Sequence, residues 1–152
     1  MLVYYAFLQS IIEYGCEIFG HRYKTNSKMI EAMQVKAMKV IFGANCDVKK
    51  VMKNRGILSF RSLVNYKTYQ FMYKAKQNVL PLNLLSLFCN KKDFSSRHSK
   101  FNCNFKVNHC NSHILSSSLS TCGIRLWNCL PTTVKETNSF SEFKRFVKQK
   151  VL

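Results

Sequence analysis

Carboxylates are what this chain has least of. It carries seven Asp and Glu in 152 residues, against 24 Lys and Arg, for a formal charge of +17. The seven are scattered, so the sequence offers no close carboxylate pair for general acid–base work and no Asp/Glu cluster for two-metal phosphoryl transfer. Glycine-rich phosphate loops and G-x-S-x-G elbows are also missing. No catalytic residue, no cofactor and no metal ligand set is therefore expected, and the chain is read as not an enzyme on its own. Internal repeats and low-complexity tracts are absent as well. From Val48 to Lys92 there is no acidic residue at all, while ten Lys and Arg occur there. Solvated helices ordinarily mix signs, because oppositely charged neighbours four residues apart support them.

What is present is ordinary globular material. Apolar residues make up 47% of the chain, with twelve Phe and seven Tyr, enough for a core. A field of +17 repels itself unless a polyanion neutralises it, and nucleic acid is the commonest polyanion partner. Acidic lipid and a merely solvated basic surface are the rival readings. The seven cysteines are odd in number and dispersed, several among apolar neighbours. Without a secretory signal they read as reduced thiols in cytoplasm or nucleus. The apolar opening, MLVYYAFLQSIIEYGCEIFG, lacks a basic n-region and is interrupted by Gln9, Glu13 and Glu17. It is expected to be a protein-packing helix rather than a signal peptide or membrane span. Apolar side chains lie almost all round it, although Val3, Ala6, Phe7, Ser10, Tyr14 and Glu17 step at three or four.

The rest of the chain reads as mainly α: a small helical domain with a long polar loop and room for a short β-hairpin in the C-terminal half. A helix is expected from Ser27, as its cap, to Phe42, ended by Gly43, with Ile30, Met33, Ala37, Val40 and Ile41 as its core stripe. Asp47 should cap a short helix through Arg55, closed by Gly56. Ser59 should start a long helix to about Gln77, with Pro81 stopping it and a turn or two following. Most of Tyr66, Tyr69, Phe71 and Tyr73 on that helix are assigned to the core and its cations to the outside. Residues 1–88 thus form a helical region, 89–121 a polar loop with a strand at Phe105–Val107 and a weaker strand signal at His113–Leu119, and 122–152 a compact unit with a basic helix. Trp127 and Leu130 should anchor the last part. Ser139 and Glu142 form an S-x-x-E capping box, with Phe140, Phe143, Phe146, Val147 and Lys150 on the buried face. His98, Cys103, His109, Cys110, His113, Cys122 and Cys129 are zinc-type ligands at spacings wrong for common knuckles. Buried thiols and surface imidazoles are the blander reading.

Four blocks carry a resemblance. LVYYAFLQSIIEYGCEIFG, IEAMQVKAMKVIFG, GILSFRSLVNYKTYQFMYKAKQNVLP and GIRLWNCLPTTVKETNSFSEFKRFVKQKVL resemble, in order, the segments that follow the polymerase palm in non-LTR retrotransposon reverse transcriptases, nearest the jockey/CR1-like groups. The resemblance implies a thumb-side, C-terminal piece of an RNA-directed DNA polymerase, without its palm or endonuclease. Met1 would then be an internal methionine, and the upstream polymerase region of the same polyprotein a missing partner of the apolar first helix. The role implied is holding RNA or DNA backbone, with Lys36, Lys39, Arg61, Lys67, Lys74, Lys144 and Lys148 as contact residues and no membrane partner. The alternatives are a structural scaffold fragment, a non-functional relic of the same element, or a zinc-stabilised small binding module.

Overall fold

The computed structural model describes residues 2–22, 24–88, 104–107 and 109–152. Among these the chain is mainly helical and has no sheet. A π-wound segment, Tyr4–Gln9, runs into α1 (Ser10–Glu13), followed by α2 (Cys16–Phe19), α3 (Lys24–Phe42), α4 (Val48–Asn54), α5 (Phe60–Lys76) and α6 (Leu82–Leu85). The C-terminal half holds α7 (His113–Ser116), α8 (Leu119–Asn128), α9 (Thr132–Lys135) and α10 (Phe140–Val151). Everything is organised on α5, against which α2, α3, α8 and α10 pack.

Local chemistry explains α4 and α5. The Asp47 side chain accepts from Lys50 N at 3.2 Å and that of Ser59 from Ser62 N at 3.3 Å, each satisfying a donor that the first helical turn leaves without a partner. Gly56 at φ 63° and Asn78 at φ 55° turn the chain left-handed after α4 and α5. Each turn lets a later amide reach back, Ile57 N to Met52 O (2.9 Å) and Val79 N to Lys74 O (3.1 Å).

The first half of α5 buries Phe60, Leu63 and Val64 against Ile12, Cys16 and Leu58. Its second half buries Tyr69, Met72, Tyr73 and Ala75 against Trp127, Leu130, Phe143 and Val147, as expected for the anchors Trp127 and Leu130. Rings interlock there: Trp127 lies 5.9 Å from Phe143 and 6.1 Å from Phe105, and Tyr73 lies 4.5 Å from Phe143. Asn128 pins the Phe105 backbone from both sides, accepting from its N–H at 3.1 Å and donating to its carbonyl at 3.0 Å. Two glycines permit this closeness. A Cβ on Gly123 would meet Met72 Sδ at 2.8 Å, and one on Gly20 would meet Val64 Cγ2 at 2.3 Å.

Several expectations are corrected. Helix α3 begins at Lys24, so Ser27 lies inside it, buried, and donates from Oγ to Gly20 O (3.3 Å) instead of capping. Its inner line is Ser27, Gln34 and Met38, with Ile30 and Ala37 partly covered, whereas Met33 is 57% and Val40 85% exposed. The reason is polar. Buried Gln34 accepts from Phe60 N at 2.8 Å and donates from Nε2 to Leu58 O (3.3 Å) and Tyr4 Oη (3.1 Å). It thereby satisfies the backbone where the chain enters α5. The His113–Leu119 stretch is not a strand: Ser112 caps α7, and Ser118 caps α8. Phe105 makes an isolated bridge and no hairpin is present among the described residues. On α10 the Ser139 side chain accepts from Glu142 N and the buried pair is Phe143 and Val147, while Phe146 and Lys150 face outward. Most of the polar loop lies outside the described residues.

Candidate nucleic-acid interface

Helix α10 presents Lys144, Arg145, Lys148 and Lys150 because Phe143 and Val147 turn its other side into the core. Lys144 and Lys148 are one turn apart, about 6 Å along the axis, and so share a face. At the start of α10, Lys144 Nζ sits 4.5 Å and Lys74 Nζ 5.9 Å from the centre of the Phe140 ring. Two ammonium groups from different helices therefore converge on one aromatic platform, each attracted by the ring's negative face. Phe140 in turn stacks on Tyr73 at 5.4 Å. With Tyr73 and two lysines around it, Phe140 is a support for cations and not a free surface for bases.

Further along, Lys148 lies over the turn at Gly56, where a Cβ would stand 3.6 Å from its Nζ. It shares the lining of one cleft there with Arg55 and with Glu13. At the end of α10, Lys49 and Lys53 of α4 line a second cleft with Val151 and Leu152. Lys39 and Lys49 line a third cleft, between α3 and α4, together with Glu31 and Asp47. The result is a basic band from Lys74 and Lys144, past Lys148 and Arg55, to Lys53, Lys49 and Lys39. Except for half-buried Lys144, all of these are exposed.

Of the seven expected contact residues, Lys39, Lys74, Lys144 and Lys148 fall on this band. Lys36 is exposed on α3, and exposed Arg61 lines a separate hollow with Gly20, His21 and Asn65. Lys67 sits differently: it donates to Glu13 Oε2 at 2.7 Å as an ion pair between α5 and α1, with the carboxylate also held by Gln9 at 2.7 Å. Burial is the largest influence and works against both charged forms, but the mutual hydrogen bond, the Coulomb attraction and, for Glu13, the Gln9 bond together outweigh it, holding the Glu13 carboxyl below its ordinary range and the Lys67 ammonium above its own. Lys49, Lys53 and Arg55 were not singled out. The signal for them was in the acid-free run from Val48 to Lys92, which contains all three.

Lys135 shows how far a cation can depart from the solvated face. It is 2% exposed and donates to Asn104 Oδ1 (2.8 Å) and Asn128 O (3.0 Å), tying α9 to the Phe105 segment. Its carbonyl accepts from Lys76 Nζ.

Among the described residues no three His, Cys, Asp or Glu side chains gather as metal ligands. Two of the zinc-type candidates, His98 and Cys103, lie outside those residues. Cys16 is buried and its thiol is pushed up to about 12, by burial first and by Glu17 second. No helix among the described residues is long and apolar enough to cross a membrane. Comparison with protein-family models, with curated proteins and with solved structures gives no match.

Proposed function

We propose that the chain is a nucleic-acid-contacting, C-terminal, thumb-side portion of a non-LTR retrotransposon RNA-directed DNA polymerase. In this reading it grips RNA or DNA by the phosphates and performs no polymerisation itself. Its partners are a nucleic-acid backbone and the upstream polymerase region of the same polyprotein, in cytoplasm or nucleus. The observation that carries the reading is the basic band, in which seven cations from α3, α4, α5 and α10 line up and outnumber the carboxylates of Glu13, Glu31 and Asp47 that line the same clefts. The order of the four sequence blocks supports the assignment to the element. Lysines held over a covered ring match phosphate contact, which positions a strand without reading its sequence.

The test is charge reversal at Lys74, Lys144 and Lys148 together. Each lost phosphate contact should lower the slope of log K against log salt by roughly 0.9 on duplex DNA and 0.7 on single strands. Affinity should fall on every sequence alike. Unchanged affinity and slope in the triple variant would sink the assignment and favour the scaffold reading, in which the helices brace a polymerase and the charge is incidental.

A further inference from the structure

Two hollows beside α5 meet at His21 and Asn65, which line both. One, of about 200 Å³, holds Arg61. The other, of about 260 Å³, holds Arg125, Leu126 and Cys129. Joined, they reach the size of small-ligand sites, roughly 300–1,000 Å³. Arg61 and Asn65 are one turn of α5 apart, about 6 Å along its axis, and so share a face. Arg125 reaches the same groove from α8, which packs closely on α5 because Gly123 leaves room for Met72. His21, at the waist, is fixed by its 2.8 Å hydrogen bond with Thr68 Oγ1.

The polar groups of this groove are unspent. Among the described residues, the guanidinium groups of Arg61 and Arg125 and the Asn65 amide have no hydrogen-bond or ion-pair partner. Glu31 accepts only from the Arg61 backbone N–H, at 3.4 Å, and no described carboxylate lines either hollow. A fitting ligand carries negative charge at two places, a hydrogen-bonding edge between them, and an apolar face for Leu126 and the Cys129 thiol. One nucleotide of a single strand meets all three demands, since a phosphate flanks its base on either side. A guanidinium can grip phosphate or lie flat on a base, and an amide both donates and accepts, so it serves the edge of any base. An acidic peptide satisfies the arginines but sets carboxylates against Leu126. Duplex bases are stacked and paired, and cannot enter without being pulled out. We infer that the groove between Arg61 and Arg125 seats one base of single-stranded RNA or DNA, with the flanking phosphates on the two arginines.

The inference rests on the nucleic-acid reading but uses a contact separate from the basic band. Two thiols report on the two places. Exposed Cys129 lines the groove, whereas half-buried Cys46 lines the α3–α4 cleft of the band with Lys39 and Lys49. The experiment is alkylation of the full chain by a neutral thiol reagent, with mass mapping of the labelled sites. It is run alone, with a single-stranded RNA, with a DNA duplex, and with poly-glutamate. Both nucleic acids should slow labelling of Cys46, and only the single strand should slow Cys129. R61Q/R125Q, at two exposed positions, should keep its helicity and lose the protection of Cys129. Its single-strand affinity should fall by roughly tenfold, the scale of one stacked base, with duplex affinity held within about twofold. If Cys46 is protected and Cys129 is not, the groove is overturned while the band stands. If no nucleic acid protects either thiol, both readings fall. Protection of Cys129 by the duplex or by poly-glutamate to the same extent as by the single strand would also overturn the proposal.

Discussion

Gln34→Ala should be among the most damaging single substitutions in the molecule, although Gln34 is polar and lies in a helix where the apolar Met33 and Val40 face water. Its amide is 1% exposed and serves three groups at once: Phe60 N, Leu58 O and Tyr4 Oη. Truncation strands a backbone donor and a backbone acceptor where water does not reach. Each such group costs about 1–3 kcal/mol, so a loss of about 3 kcal/mol is expected, before any cavity is counted. Against a total stability of about 5–15 kcal/mol for a domain, that is a large fraction. Met33→Ala, one position earlier and 57% exposed, should stay within about 0.5 kcal/mol. Urea unfolding followed by circular dichroism measures both, with the midpoint shifting and the slope m unchanged. If Met33→Ala is the costlier of the two, or Gln34→Ala unfolds with the parent, the reasoning about α3 is wrong.

Lys67→Ala should lower stability by about 0.5–1 kcal/mol, the scale of a partly exposed ion pair, and leave nucleic-acid affinity within twofold-like scatter, unlike Lys148→Ala. His21 accepts or donates a hydrogen bond to Thr68 Oγ1 at 2.8 Å, and burial holds its imidazole below the ordinary 6.5. Because the unfolded chain then binds the proton more readily, stability from this group is full above pH 6.5 and is lost as pH falls through the folded value. His21→Gln should flatten the urea midpoint in that window, and an unchanged pH profile would refute the assignment. Cys16, buried and pushed up to about 12, should resist a thiol reagent in the native protein while exposed Cys129 is labelled; mass mapping of the labelled sites decides this.

The caps were legible because they are local. Asp47, Ser59 and Ser139 each act within three residues of their own position, and sequence spacing carries that information. The anchors Trp127 and Leu130 were legible from their size and apolarity. The face of α3 was not, since hydrophobic periodicity has no way to register a buried glutamine whose partners are 24, 26 and 30 residues distant. The ion pair of Lys67 was hidden for the same reason, its carboxylate being 54 residues upstream. Nothing in the local sequence marks Lys135 as buried, yet α9 places its ammonium against Asn104 and the Asn128 carbonyl. The long-helix and C-terminal lysines of the basic band are expected from charge on regular helices alone. Lys49, Lys53 and Arg55 join it only because the turn at Gly56 brings α4 against α10.

Phosphate contact by that band is tested most directly by the salt dependence of binding. Purified chain should be titrated with a labelled single-stranded RNA and a labelled DNA duplex across a salt series. Four to seven contacts predict log–log slopes of roughly −3 to −6, similar affinity for unrelated sequences, and a shallower slope when Lys74, Lys144 and Lys148 are reversed. Binding that is flat with salt, or absent at low salt, would contradict it.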